Sequence, residues 1–165
     1  MHCYNFIYVS SFILCTCILA CQPSNPGEEL FLKYDDYEFN FQKEEYPNNE
    51  RFVRKMENML RQGEYEQVLP LLDNWINDHE YDFEKIYAKG VAELRLGQHQ
   101  KALSTFRYLR SLGPQFFNEM DWYQALAHIK MGELNEAVPF LKEIQSIHPR
   151  YEHVEELLNI IAQHK

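Results

Sequence analysis

The chain has 165 residues, of which 45% are hydrophobic and 25% are charged, which is enough for one domain with its own core. Its formal net charge of -9 argues against nucleic acid as a partner, because binding to phosphates requires a basic surface. Residues 28–50 carry a net -6 from eight acidic and two basic residues, whereas residues 51–165 carry only -3. The acidity is therefore concentrated in one short stretch.

The chain begins with an apolar run, FIYVSSFILCTCILAC, at residues 6–21. Its length suits the apolar region of a secretory signal better than a bilayer span, which needs about 20 residues. The run ends in Ile18-Leu19-Ala20-Cys21, which resembles the lipobox of bacterial lipoproteins. The resemblance implies that residues 1–20 are a signal peptide and that Cys21 is acylated, for example with palmitate, and anchors the chain to a membrane.

Other interpretations of this run stay open: an uncleaved membrane anchor, a start codon assigned upstream of the true one, or a soluble chain with an apolar terminus. The four cysteines of the chain all lie within its first 21 residues: Cys3, Cys15, Cys17 and Cys21. We therefore expect the folded part to have neither a disulfide nor a thiol nucleophile.

Residues 21–48 are predicted to form an acidic, aromatic linker. QPSNPG at 22–27 has linker composition, and six aromatic residues are then interleaved with acids: Phe31, Tyr34, Tyr37, Phe39, Phe41 and Tyr46. The first three recur every third residue, whereas Phe39 and Phe41 alternate, so the period is ambiguous. Because exposing six aromatics is unfavourable, we expect part of this stretch to pack on the first helices. The alternative is an acidic, aromatic peptide that is offered to a partner.

From residue 51 onward the sequence repeats, with Gly63, Gly97 and Gly132 spaced by 34 and 35 residues. In the second and third copies, a small residue precedes the glycine by seven positions and a proline follows it by seventeen. A glycine there closes a helix in left-handed backbone, a small side chain lets paired helices approach, and a proline stops the second helix. The positions concerned are Gly90 and Ala125, and Pro114 and Pro149.

This pattern resembles the tetratricopeptide repeat. The resemblance implies an all-α fold, a right-handed α-solenoid of three helix hairpins with a C-terminal capping helix, seven helices in total. The domain would cover 49–165, with repeats at about 49–82, 83–116 and 118–151 and the cap at 152–165. In the cap, helical spacing places four apolar residues on one face: Val154, Leu157, Leu158 and Ile161.

A search for catalytic and metal-binding patterns finds none of the common motifs, and adjacent carboxylates such as Glu155-Glu156 point in different directions on a helix. His148 and His153 flank a predicted turn and are a weak metal candidate, and we expect His128 to be packed or in a groove. The sequence therefore predicts a non-enzymatic protein without a cofactor or a bound metal.

In the tetratricopeptide family, the first helix of each hairpin lines a concave groove that binds partners. Carried onto this chain, and with Tyr123 added for its aromatic ring, the resemblance implies a partner-binding groove formed by Tyr87, Val91, Leu94, Trp122, Tyr123 and Leu126. The alternative is that these residues fill the core or hold the cap. The lysines and asparagines of a carboxylate clamp are absent from these positions.

Residues 120–144 are similar to repeats in envelope proteins of the Bacteroidetes. The predicted function is therefore a lipid-anchored module of the bacterial cell envelope, on a periplasmic or surface face, that binds or scaffolds an unidentified partner protein. A structural subunit of a larger envelope complex, with no peptide-binding groove in use, is the first alternative. An enzyme or accessory factor with an unrecognised site is the second.

Overall fold

The computed structural model describes residues 26–42, 47–144 and 150–163, and within them the fold is all-α. Cys21, Pro149 and His148 lie outside these ranges. The described residues form eight helices, one more than the sequence predicts, and a 3-10 turn at Pro114–Phe116. The helices are α1 Pro26–Tyr34, α2 Glu50–Arg61, α3 Tyr65–Asp78, α4 Phe83–Arg95, α5 His99–Ser111, α6 Phe117–Lys130, α7 Leu134–Glu143 and α8 Tyr151–Gln163.

Three glycines end the first helix of each pair. Gly63, Gly97 and Gly132 have φ angles of 75°, 79° and 77°, the left-handed region in which a side chain is unfavourable. At the second pair, the N–H of Gly97 donates to the carbonyl of Leu94 at 3.1 Å, and the N–H of Gln98 donates to that of Glu93 at 2.8 Å. The other two turns repeat this Schellman pattern. The predicted helix-ending role of these glycines is therefore confirmed.

Helices that follow each other along the chain contact each other, from α2 to α8. The helices of the second pair approach each other closely at Gly90 of α4, where a Cβ atom would lie 2.4 Å from the ring of Phe106 on α5. Ala125 has the same position on α6 and is fully buried. The small residues at this repeat position are thus required by the distance between paired helices, as the sequence predicts.

The last helix, α8, packs on the last of the three helix pairs. Val154, Leu157 and Ile161 of α8 are buried, Leu158 is half-buried, and α8 contacts α7. The apolar face predicted for the cap is therefore present. No helix among the described residues has the length and apolar character that crossing a bilayer requires.

The stretch before the pairs is not a uniform linker. Its first part forms α1, which packs on α6 and buries Phe31 and Tyr34. Residues 35–42, which we call the arm, have no regular secondary structure. The arm crosses α4 and has contacts to α6 on one side and to α2 on the other. The helical period in the sequence therefore belongs to α1, and the alternating period belongs to the extended arm.

Candidate functional site

The six residues predicted to line a groove lie on two helices. Tyr87, Val91 and Leu94 come from α4, and Trp122, Tyr123 and Leu126 come from α6. The rings of Tyr87 and Tyr123 are 5.3 Å apart, so α4 and α6 bring the two groups together. Five of the six have 0% exposure, and Tyr87 is half-buried.

The chain's own amino-terminal residues cover this surface. The ring of Tyr37, in the arm, lies 4.6 Å from that of Tyr87 and 6.4 Å from that of Tyr123. The ring of Tyr34, at the end of α1, lies edge-on to Trp122 at 6.3 Å. The sequence left two interpretations of these six residues, a partner-binding groove or part of the core. In the structure their surface is already covered, and the residues that cover it belong to this chain.

Side chains of the arm alternate between the protein and solvent. Tyr37, Phe39 and Phe41 face the helices, with 3% exposure for each of the two phenylalanines. The residues between and beside them are exposed: Asp36, Glu38, Asn40 and Gln42. Period-two alternation is the pattern of an extended chain lying on a surface. The arm is therefore held in the way that a bound extended peptide is held.

Arg95, the last residue of α4, contacts three parts of the arm. Its Nε donates to Oδ2 of Asp35 at 2.7 Å and its Nη2 donates to Oδ1 at 3.1 Å. Nη2 also donates to the carbonyl of Tyr37 at 2.7 Å, and the guanidinium lies 5.0 Å from the centre of the Phe39 ring. Burial by itself would lower the pKa of Arg95, but the hydrogen bond and the charge of Asp35 raise it above its ordinary value. The guanidinium stays charged and recognises both a carboxylate and the backbone.

A second arginine, Arg150, contacts Asp36, the residue that follows Asp35. Arg150 donates to Asp36 Oδ1 at 2.9 Å and to Glu119 Oε1 at 2.7 Å. Glu119 also accepts a hydrogen bond of 2.6 Å from the hydroxyl of Tyr87, whose pKa lies well above its ordinary value because the ring is buried. Tyr87 therefore remains a hydrogen-bond donor at neutral pH.

The far end of the arm is held by α2 and by the start of α4. Nε of Arg61 donates to the carbonyl of Phe39 at 2.7 Å. The ring of Phe41 lies 4.6 Å from Nζ of Lys85, a residue with 0% exposure, and the N–H of Gln42 donates to Oε1 of Glu84 at 3.2 Å. Side chains and main chain of the arm are both recognised.

The sequence analysis missed the cations at this site. Arg61, Arg95 and Lys130 each stand two residues before a repeat glycine. Each contacts residues 26–42; for Lys130, Nζ lies 3.3 Å from Oε1 of Glu28 and 4.0 Å from the centre of the Phe31 ring. A basic residue recurring at one repeat position was visible in the sequence, whereas its acidic partner was not. We call these three residues the basic row.

Outside the contacts of the arm, the histidines of α6 and α8 pack against neighbouring side chains. The described residues contain no cluster of three or more His, Cys, Asp or Glu that could hold a metal ion. His128 is hydrogen-bonded to Glu133 at 2.9 Å and stacks on Phe140, while His153 lies against Tyr34. Burial raises the pKa of Tyr37 and Tyr123, so both phenols stay protonated at neutral pH. The arrangement favours binding of an extended chain.

No family model, curated protein or solved structure matches this chain.

Proposed function

We propose that this chain is a tetratricopeptide-type protein-interaction module, a short right-handed α-solenoid that a lipid on Cys21 anchors in the bacterial cell envelope. It binds or scaffolds a partner protein through the face made by α2, α4 and α6. The mode of action is non-covalent contact, and no chemical step is assigned to it. Many unrelated functions use such folds, so the function is argued from the groove and its contacts.

One observation carries this proposal: the face made by α4 and α6, with α2 beside it, holds an extended peptide. Tyr37 of the arm packs against Tyr87 and Tyr123, and Arg95 contacts a carboxylate, a carbonyl and a ring of the arm. Recognition of side chains at alternate positions together with main-chain groups is typical of surfaces that bind extended peptides. The repeated glycine turns and the repeated small residues support the solenoid assignment.

The occupied groove also favours the second function, that of a structural subunit. If the arm never leaves, the partner must contact another face of the protein. Three aromatic residues outside the groove are exposed, Tyr81 at 66%, Tyr108 at 44% and Phe117 at 39%. A complex that covers these residues would use the helices as a rigid spacer.

Photo-crosslinking in cells separates the two functions. A photoreactive residue is introduced at Gln62, an exposed position next to Arg61 at the groove, or at Tyr108, and covalent products of the full chain are compared. Products from position 62 that disappear in the Arg95→Ala variant support the groove, and Arg107→Ala, an exposed change on α5, is the control. Products from position 108 alone, unaffected by Arg95→Ala, support the structural subunit and contradict the groove proposal.

The lipid anchor is tested separately by mass spectrometry of the mature amino-terminal peptide. We expect a peptide that starts at Cys21 and carries fatty acids, and we expect the Cys21→Ser variant to lose them. A mature chain that still starts at Met1 would contradict the anchor and leave the groove proposal untouched.

A further inference from the structure

The three residues of the basic row are equivalent in the repeat, and they contact successive parts of one peptide. Lys130 of α6 contacts Glu28, Arg95 of α4 contacts Asp35, and Arg61 of α2 contacts the carbonyl of Phe39. The order along the peptide thus follows the order of the helices in reverse. The row provides positive charge for acidic residues at intervals along a chain lying across the helices.

Aromatic side chains of the peptide pack between these cations. Tyr37 lies edge-on to the rings of both Tyr87 and Tyr123, and Phe39 lies against Arg95 and Tyr65. Aromatic rings and guanidinium groups attract one another through the charge distribution of the ring. The groove therefore selects for a carboxylate followed, at the second and fourth residues beyond it, by aromatic side chains.

The arm is less completely buried than the packed faces of the helices. Every second side chain points to solvent, and a cleft of about 380 Å³ stays open between the arm and the helices, lined by Tyr37 and Phe39 on one side and by Arg61, Tyr65 and Arg95 on the other. Lys85 lies fully buried under Phe41 and would regain water when the arm leaves. Segments with few buried contacts and exposed polar groups open at lower free energy than packed helices.

We propose that the groove recognises an extended acidic and aromatic segment of a partner protein, and that residues 35–42 are a resident competitor which this segment displaces. This rests on the function proposed above and adds the chemistry of the partner. A segment without the carboxylate would leave Arg95 without its charge partner in a partly buried site, which opposes binding. A segment without the aromatic residues would leave the rings of Tyr87 and Tyr123 uncovered.

The test uses the full chain in detergent and a fluorescent peptide with the sequence of residues 33–42, KYDDYEFNFQ. The released variant, Tyr37→Ala with Phe39→Ala, weakens the resident arm without changing the groove. We expect it to bind the peptide at least about tenfold more tightly than the wild type, because apparent affinity scales with the fraction of open groove. Fluorescence anisotropy gives the dissociation constants.

Two substitutions show whether the peptide uses the basic row. Adding Arg95→Ala to the released variant, or replacing the peptide residue equivalent to Asp35 by Asn, should each weaken binding roughly tenfold, the loss expected for a charged hydrogen-bonded pair. Arg107→Ala in the protein and a scrambled peptide of the same composition are the matched controls. If the released variant does not melt cooperatively, Asp35→Asn replaces it, since this change keeps every ring of the arm.

A folded variant that binds the peptide no better than the scrambled control overturns the proposal. If cellular crosslinks at position 62 still depend on Arg95, the proposed function stands and only the partner chemistry is wrong. If the peptide binds but those crosslinks are absent, the function fails while the recognition chemistry holds. Dimers of the wild type that Arg95→Ala abolishes would assign the groove to the arm of a second copy and overturn the partner proposal.

Discussion

Helices α2 and α6 have the same place in the repeat and very different surroundings. Both begin a helix pair and both end at a glycine turn. In α2, one side is exposed, including Arg51, Arg54 and Lys55, whereas every residue of α6 from 120 to 130 except His128 is buried. One cause is that α6 packs between α5 and α7, whereas α2 packs mainly on α3; the other is that α1 and the arm cover α6 but reach α2 only at its end. A repeated sequence therefore acquires unequal burial when one non-repeating segment packs on it.

The largest expected effect on stability concerns the residue ten positions before the repeat glycine. This residue is Trp122 in α6 and Val53 in α2. Both have 0% exposure. Trp122→Ala should lower the free energy of unfolding by about 3–5 kcal/mol, because a large cavity would open under Tyr34. Val53→Ala should cost only about 1–2 kcal/mol, since fewer buried carbons are lost. Chemical denaturation measures both, and equal losses would contradict the difference in packing.

The next effect concerns the contact between the arm and α4. Arg95→Ala should lower the free energy of unfolding by about 2–3 kcal/mol, because Asp35, whose side chain is only 7% exposed, loses its charge partner. The matched control is Arg54→Ala in α2, which breaks an exposed pair with Glu50 and should cost about 0.3–0.5 kcal/mol. If the two variants melt alike, the arm contributes little to stability.

A smaller effect should be the same in all three helix pairs. Nothing lies within 4 Å of the Cβ position of Gly63, Gly97 or Gly132, so replacement by Ala adds only left-handed backbone strain. We expect each substitution to lower the free energy of unfolding by about 1–2 kcal/mol. Asn at the same positions should cost less, because it tolerates this conformation better. Markedly different losses among the three alanine variants would show that the turns are not independent of the covering layer.

The smallest effect is electrostatic and depends on pH. Burial, together with the charge of Lys130 on α6, lowers the pKa of His99 below its ordinary value of 6.5. The stability associated with neutral His99 is therefore complete above pH 6.5 and is lost as the pH falls below it, since the unfolded chain takes up the proton first. Between pH 7.5 and 5.5 the wild type should lose about 1 °C more in Tm than His99→Gln. Parallel melting curves would contradict this prediction.

The helix pairs could be predicted from the sequence because their signals are local. The glycines, the small residues at 90 and 125, and the apolar face of α8 each follow from the geometry of one helix or one turn. The rule that proline ends a helix did not hold throughout, because α3 and α7 continue through Pro70 and Pro139, which lie at equivalent positions. The proline inside a helix is tolerated where the freed carbonyl can meet solvent.

The candidate site could be predicted only in part. Its apolar residues on α4 and α6 were identified through the repeat pattern, and they do lie together. The arginines were missed, since a basic residue near a helix end is most often a solvated charge. Their role depends on Asp35 and on the carbonyl of Phe39, which lie 60 and 22 residues away along the chain from Arg95 and Arg61.

The sequence by itself determined helices α2 to α8, their turns and the spacing of the pairs, because these depend on backbone conformation and on periodic burial over a few residues. Only the tertiary structure decided the course of residues 26–42, where a helical and an extended period stand side by side. The free energy that selects between them comes from contacts with α2, α4 and α6, and such contacts exist only once the helices have packed together.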